Sequence, residues 1–325
     1  MIPLELVYRS RPIQYPLLAA MKACKAWEQA GIELRSLKFV SGAAESDPLL
    51  INGKCDFIFG SHISPYIHRY HGHPFVYLGS TVNWVDDVMV SKEPIKSLKD
   101  LEGKTLSETA KVTPDRHHGS HPGGNHLLYL KRGGADPHKI QFVPSSGRKS
   151  YVDVVEGKAF ATFASLPDDE EARRKGLHVF PLAPLPMVLA TTLTTLWPIL
   201  QKRRDLCEAV AKAVLMGVHF IKTKRDEMWE VMQEDVAVEL KIEDLKVLEY
   251  LHDHNYHILE PRLYPTAEAV KNTFDLAAME EPEIVDHLNP MSLWNLDVLR
   301  SIEESGFIDK LYDGKVPGPG TVIGQ

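Results

Sequence analysis

Histidine is the residue type that most suggests chemistry in this sequence, with 15 copies among 325 residues. The densest group lies in the segment Asp115–His126, which contains His117, His118 and His121. Imidazole binds several transition metals, but this spacing matches no helical or zinc-finger ligand pattern, so we predict neither a metal nor any other cofactor. Because imidazole exchanges protons near neutral pH, we predict that His117, His118 or His121 takes part in proton transfer.

The end of the same segment is rich in small residues that can open a helix. Gly123, Gly124 and Asn125 stand at the start of a predicted helix that extends to about Arg132. Backbone N–H groups at a helix start can hold an oxyanion, so we predict that these three residues bind substrate. The alternative interpretation is a mobile, solvated loop.

Three arginines precede predicted helices. Arg9 and Arg11 follow the first predicted strand, and Arg148 follows Ser145 and Ser146. A guanidinium group pairs bidentately with carboxylate or sulfonate, so all three are candidates for anchoring an anion. Strand alternation should aim only one of Arg9 and Arg11 at the ligand. The alternative for each is a solvated surface arginine.

Further candidates follow the buried strand Cys55–Phe59. Ser61 and His62 come directly after it, and His62 is predicted to be a general acid or base. Arg69 is a further candidate for anchoring the anion, and Trp84 is placed to stack on a planar ligand. The alternatives are that His62 is a structural histidine, that Arg69 lies on a solvated helix face and that Trp84 packs in the core. We expect the other histidines near residue 70 to lie on the surface and the group in residues 252–257 to cap a helix.

Strand-like runs alternate with helical stretches, which is typical of an α/β protein with largely parallel sheets. The pattern predicts one lobe from residues 1–88 and 188–325, including C-terminal helices, and a second lobe from residues 89–187. We expect the ligand in a cleft between the lobes, beyond the carboxyl ends of strands. Residues 314–325 are predicted to form a loose tail.

Composition excludes several classes of function. The chain has 44% hydrophobic and 25% charged residues and a net charge of −7, which is typical of a globular protein without a strongly basic face. Nucleic acid and membrane insertion are therefore not predicted. The first residues resemble no export signal, which predicts a cytoplasmic protein. A periplasmic protein whose signal has been removed is the alternative.

Several short segments resemble the type II periplasmic binding protein fold, in its sulfonate, nitrate and taurine branch. They include Ala30–Leu34, Gly53–Phe57, Ile95–Lys104, Gly134–Pro137 and Val155–Lys158. The resemblance covers roughly residues 1–235 and implies a two-lobe fold. Because this scaffold hosts both transport receptors and enzymes, it does not by itself decide between binding and catalysis.

The first loop is also similar to that of the hydroxybiphenyl sulfinate desulfinase family. The similar residues are Tyr8–Pro12 and the pair Leu17 and Leu18. The essential cysteine of that family falls on Arg11, which argues against a thiol-dependent desulfination. The thiamine-pyrimidine synthases share the scaffold, but their cysteine-rich stretch has no counterpart in this sequence.

These features lead to a prediction of a cytoplasmic, cofactor-independent lyase. It would act on an aromatic or related organic acid, as a decarboxylase or desulfinase does, with histidine delivering a proton while arginines hold the departing anion. The alternative is the substrate-binding protein of an ABC-type uptake system for an organic acid or sulfonate, with a transporter permease as its partner. An intracellular ligand sensor is a third interpretation, and a homodimer is left open.

Overall fold

The computed structural model describes residues 1–146, 149–165 and 168–321, without the side chain of residue 190. Contacts divide the chain into two compact units. Unit 1 consists of Met1–Trp84, Pro186–Phe274 and the chain from Ile284 onward. Unit 2 consists of Val85–Leu185 and Asp275–Glu283.

Unit 1 is built on a five-stranded mixed sheet. Its strands are β1 (Ile2–Tyr8), β2 (Ile32–Phe39), β3 (Phe57–Phe59), β4 (Phe75–Val85) and β10 (Leu185–Leu196), in the order β2-β1-β3-β10-β4. Strand β1 pairs in parallel with β2 and β3, whereas β10 runs antiparallel to β3. The carboxyl ends of β1 and β3 therefore lie at one edge of the sheet, where the loops that follow them meet.

Helices cover the sheet of unit 1 and continue into the C-terminal region. The first are α1 (Arg11–Ala23), α2 (Ala26–Gln29), α3 (Ala43–Ile51) and α4 (Ser64–Tyr70). After β10 come α8 (Trp197–Lys202), α9 (Arg204–Thr223), α10 (Arg225–Val231), α11 (Ala237–Leu240), α12 (Leu245–Ile258), α13 (Ala267–Glu280), α14 (Asp297–Glu304) and α15 (Phe307–Leu311). The apolar faces of α1 and α9 form the centre of the largest core cluster. None of the helices in the described ranges is long and apolar enough to cross a membrane.

Unit 2 has its own five-stranded mixed sheet. Its strands are β5 (Val88–Ser91), β6 (Thr105–Glu108), β7 (Gln141–Pro144), β8 (Ala161–Ala164) and β9 (His178–Pro181), in the order β7-β6-β8-β5-β9. Its helices are α5 (His121–Arg132), α6 (Tyr151–Val155) and α7 (Asp168–Arg174). Strand β6 is parallel to β7 and β8, whereas β5 is antiparallel to β8. The start of β5 therefore lies beside the carboxyl ends of β6 and β8.

This architecture confirms the predicted α/β class, with two mixed sheets and a helical C-terminal region. The units differ from the predicted lobes mainly at residues 275–283, which the sequence analysis assigned to lobe 1. His117 explains this difference, because its Nε2 lies 2.9 Å from the carbonyl oxygen of Leu276 and holds the end of α13 in unit 2.

The C-terminal segment is docked, which contradicts the predicted loose tail for the part up to residue 321. The Gly320 N–H donates to Glu260 at 3.3 Å, and the Thr321 N–H donates to the carbonyl of His257 at 3.0 Å. A Cβ on Gly320 would lie 2.1 Å from the carbonyl oxygen of Ile258. Only glycine therefore lets the tail approach the end of α12 this closely. Residues 322–325 lie outside the described part of the chain.

We expect Gly320→Ala to release the tail, because the added methyl group meets backbone that cannot move aside. The free energy of unfolding should fall by about 1–3 kcal/mol, as for other overpacked contacts. Amide exchange at residues 315–321 should also accelerate, as measured by mass spectrometry. Gly318→Ala is the matched control, since a Cβ there meets nothing within 4 Å. Equal behaviour of the two variants would contradict this account of the tail.

Candidate functional site

Arg9 lies at the carboxyl end of β1, at the edge of the unit 1 sheet where a ligand is expected. The side chain of Gln14 on α1 fixes the turn, because its Oε1 accepts from the N–H groups of Arg9 at 2.8 Å and Ser10 at 2.9 Å. The Arg9 Nη1 donates to Ser61 Oγ at 3.2 Å. Its Nε is buried and has no hydrogen-bond partner. One side of the guanidinium group is therefore held by the protein while another side is unused.

Ser61 connects Arg9 to a buried carboxylate. Its hydroxyl donates to Asp47 Oδ1 at 2.8 Å, and its backbone has a φ of 72°, in the left-handed region that non-glycine residues rarely adopt. Asp47, on α3, is buried and also accepts hydrogen bonds from Ser46 at 2.9 Å and Ser64 at 2.6 Å. The strained backbone at Ser61 places its hydroxyl between the two charged groups.

Asp47 is ionised despite its burial. Burial alone would raise its pKa, but hydrogen bonds from His68, Ser64, Ser61 and Ser46 outweigh that effect and hold the pKa below its usual value. The Nε2 of His68 lies 3.2 Å from Asp47 Oδ2. His68 was expected on the surface, but its position one turn after Ser64 on α4 directs it to the carboxylate. Burial also lowers the pKa of Arg9, and the charge of Asp47 opposes that shift.

Arg11 has different neighbours from Arg9. Its guanidinium carbon lies 4.4 Å from the ring centroid of Phe39, and its Nε lies 3.4 Å from Glu239 Oε1. Its side chain is 48% exposed. The loop after β1 thus directs one arginine to the buried Ser61 and Asp47 and the other to a solvated ion pair.

The remaining predicted residues of unit 1 do not all join this group. His62 Nδ1 forms a 2.7 Å hydrogen bond with Thr192 Oγ1 on β10, and its carbonyl accepts from Tyr77. Arg69 is half-buried on α4, and Trp84 is half-buried at the end of β4. The predicted residue Arg148 lies outside the described residues.

In unit 2, the structure uses His117 and the two glycines of α5 for packing. His117 is fully buried, with Nε2 near Leu276 O and Nδ1 3.3 Å from Glu280 Oε1. Burial lowers the pKa of His117. A Cβ on Gly123 would lie 2.2 Å from Val112, and the N–H groups of Gly123 and Gly124 already donate to the Oγ and carbonyl oxygen of Ser120. These two N–H groups are thus occupied rather than turned toward a ligand.

Three other predicted residues of unit 2 differ in their surroundings. His118 is exposed and has a φ of 43°. His121 is half-buried at the first position of α5. Asn125 is buried, with 4% of its surface exposed, and its Oδ1 has no hydrogen-bond partner.

The histidine with the most perturbed environment is His126, which was not among the predicted site residues. Its Nδ1 bonds to Glu108 at the end of β6, and its Nε2 lies 3.6 Å from Asp87 Oδ2. The ring stacks on Phe163, with centroids 4.2 Å apart. Burial alone would lower its pKa, but Glu108 and Asp87 outweigh burial and raise the pKa to about 10. His126 is therefore an imidazolium at neutral pH, enclosed by two carboxylates.

A signal for His126 was present in the sequence but was not decisive. Glu108 ends a predicted strand and His126 lies in the helix that follows, so the two face the same sheet edge. Four histidines compete within ten residues, however, and local spacing does not identify the one that reaches Glu108. Among the described residues, no group of three or more histidine, cysteine or acidic side chains has the geometry to hold a metal ion.

Comparison with known proteins identifies the family. The family model described as NMT1/THI5 like matches residues 27–228, which is more than half of the chain. The chain belongs to the NMT1/THI5-like family. Proteins with curated descriptions gave no match to this sequence.

Solved structures with the same fold include several binding proteins and an enzyme, which confirms the predicted type II periplasmic binding protein fold. The periplasmic sulfonate-binding protein SsuA of a putative sulfonate ABC transporter from Methylobacillus flagellatus is 16% identical, with a TM-score of 0.69 over 99% of this chain and 98% of its own. The periplasmic aliphatic sulphonate binding protein SsuA from Escherichia coli is 17% identical, with a TM-score of 0.65 over 93% and 97%. A DSZB variant in complex with biphenyl-2-sulfinic acid is 15% identical, with a TM-score of 0.58 over 97% and 100%.

These findings contradict the predicted lyase, and the decarboxylase-like or desulfinase-like reaction is withdrawn. The family and the sulfonate-binding neighbours agree with a binding protein instead, and they do not support the cytoplasmic location. DSZB shares the fold at 15% identity, which carries no activity over to this chain. The lyase prediction depended on histidines as proton donors, but in this structure both ring nitrogens of His117 lie close to acceptors and His126 lies between carboxylates. Nothing in the comparisons supports the homodimer.

We expect His126→Gln to lower the free energy of unfolding by about 3–5 kcal/mol near pH 6, because two buried carboxylates lose the charge between them. The pKa of His126 is raised on folding, so its contribution is complete below about pH 6.5 and is lost as the pH rises through about 10. Denaturant unfolding at pH 6 and pH 10 should therefore show a difference between wild type and variant that shrinks at the higher pH. His118→Gln, at an exposed position, is the control and should change little. A difference that is the same at both pH values would show that packing, not charge, explains the loss.

Proposed function

We propose that this chain is the solute-binding component of an ABC-type uptake system and that its ligand is a small organic anion. Membership of the NMT1/THI5-like family and the fold of the sulfonate-binding proteins support this proposal. Under it, the protein works outside the cytoplasm and delivers its ligand to a transporter permease. The predicted lobes, residues 1–88 with 188–325 and residues 89–187, remain part of this proposal.

The observation that carries the proposal is the incompletely paired guanidinium of Arg9. Placing a charge in a poorly solvated environment costs free energy unless an opposite charge or hydrogen bonds compensate it. Arg9 has the Ser61 hydroxyl as its side-chain acceptor, a buried Nε without a partner, and no ion pair with any carboxylate of the described residues. A bound anion would supply the missing acceptors.

The geometry of Arg9 also indicates the shape of the anion. Because Nη1 donates to Ser61 and the buried Nε has no partner, we infer that a bound anion engages the side of the guanidinium formed by Nε and Nη2. This edge presents two parallel N–H donors, which match two oxygens of one carboxylate, sulfonate or sulfinate group. We include Ser61, Arg69 and Trp84 in the proposed binding site, and Asn125 and Arg148 stay predictions from the sequence.

The proposal is tested by measuring ligand binding in two variants, each of which replaces one arginine of the loop after β1. The side chain of Arg9 faces Ser61, whereas that of Arg11 faces Glu239. Purified protein is screened by thermal shift and native mass spectrometry against aliphatic and aromatic carboxylates and sulfonates. We expect binding to wild type, with the ligand recovered unchanged after long incubation. Arg9→Gln should weaken binding about 30-fold or more, as expected for a lost charge-assisted bidentate contact. Arg11→Gln should bind as wild type does, because Arg11 pairs with Glu239.

Equal binding by the two arginine variants would contradict the assigned anchor, and the absence of any bound anion would contradict the proposed function. Fractionation of cells that express the complete natural gene tests the location. We expect the protein outside the cytoplasm, and its retention in the cytoplasm would overturn the transport role.

A further inference from the structure

The buried carboxylate behind Arg9 bears on which anions the site accepts. We propose that Asp47 makes the Arg9 site selective for organic monoanions over dianions of the same shape. This inference rests on the function proposed above and extends it to the charge of the ligand. It makes Asp47 a specificity-determining residue that acts without touching the ligand.

The first step is that Asp47 is a fixed negative charge. Its side chain has no exposed surface, and its two oxygens accept hydrogen bonds from three serine hydroxyls and from the His68 ring. Four donors satisfy the lone pairs of a carboxylate better than those of a neutral acid. Asp47 therefore stays ionised through the neutral pH range, which agrees with its lowered pKa.

The second step is that one hydroxyl group separates the two charges. Ser61 Oγ accepts from Arg9 and donates its single hydrogen to Asp47. Ser64 also donates its hydrogen to Asp47. Neither hydroxyl has a hydrogen left for an anion, so Arg9 is the donor that these residues offer. The ligand thus meets one positive charge with one negative charge directly behind it.

The third step is the charge balance when a ligand binds. Arg9 and Asp47 together carry no net charge, so a monoanion adds one negative charge to the site and a dianion adds two. Repulsion between a buried carboxylate and a second ligand charge is weakly screened, because little water separates them. Of the other titratable groups, His68 contacts Asp47 directly, Tyr77 lies nearby, and Arg11 faces Glu239. Carboxylates, sulfonates and sulfinates are therefore accepted, and phosphonate and sulfate dianions are rejected.

The test uses pairs of probes that have one shape and different charges. They are methanesulfonate with methylphosphonate and benzenesulfonate with phenylphosphonate. Sulfonates stay monoanions, whereas phosphonates are chiefly monoanions at about pH 5.5 and dianions at about pH 8.5. In calorimetric titrations of wild type we expect the phosphonate affinity, relative to that of the matched sulfonate, to fall about tenfold or more between these pH values. Protein groups that titrate in this range affect both members of a pair, so the ratio isolates the ligand charge.

Variants assign the effect to Asp47. Asp47→Asn keeps the size of the side chain and removes the charge, so the sulfonate preference at pH 8.5 should fall about tenfold. Glu45→Gln is the matched control: this carboxylate is on the same helix but 58% exposed, and we expect no change in the preference. If Asp47→Asn does not fold, the pH experiment on wild type still tests the inference, because an unchanged ratio there contradicts it.

Two results would overturn the inference. A phosphonate to sulfonate ratio in wild type that is the same at both pH values contradicts it while leaving anion binding, and thus the proposed function, intact. An unchanged ratio in a folded Asp47→Asn protein removes Asp47 from the account. Failure of both probe pairs, together with failure of the whole anion panel, would overturn the proposed function and this inference with it.

Discussion

The candidate site of unit 1 depends on the hydrogen bonds to the buried carboxylate of Asp47. Arg9 is held by Ser61, and Ser61 is held by Asp47, which in turn is held by donors from α3 and α4. Burying a charge costs free energy, so a contribution to stability does not by itself explain this network. Its physical effect is to position a cation at the carboxyl end of β1 without neutralising it through direct contact. The guanidinium therefore keeps a buried Nε that has no hydrogen-bond partner in the described structure.

Unit 2 contains a buried ionic cluster in which the carboxylates face the cation directly. There the cation is His126: its Nδ1 bonds to Glu108, Asp87 Oδ2 lies 3.6 Å from its Nε2, and Phe163 covers one face of the ring. Two carboxylates face the imidazolium, so its charge is balanced without a ligand. We interpret it as a structural element that joins α5 to β6 and to the start of β5. Both clusters lie at carboxyl ends of strands, but the imidazolium of His126 is paired with two carboxylates whereas the guanidinium of Arg9 has a buried Nε without a partner.

Sequence patterns predicted the fold better than the contacts of the site. The alternation of strands and helices, with the short motifs from Ala30 to Lys158, was enough for the fold class, because these features are local in the chain. The position of Arg9 after a buried strand also identified it as a candidate. The Asp47 to Ser61 and Glu108 to His126 contacts join residues that are 14 and 18 positions apart in different elements. No periodicity specifies such side-chain directions, so Asp47, His68 and His126 were missed.

The histidine content misled the functional prediction for a related reason. A histidine can transfer a proton only if a ring nitrogen faces the reacting group with the required charge state. In this structure His117 is packed between Leu276 and Glu280, His68 is bound to Asp47, and His126 remains charged well above neutral pH. Each of these rings contacts the protein itself, and burial or ion pairing sets its environment. Composition counts such residues equally with catalytic ones, whereas the partners of the ring nitrogens distinguish a histidine that packs or pairs from one that can transfer a proton.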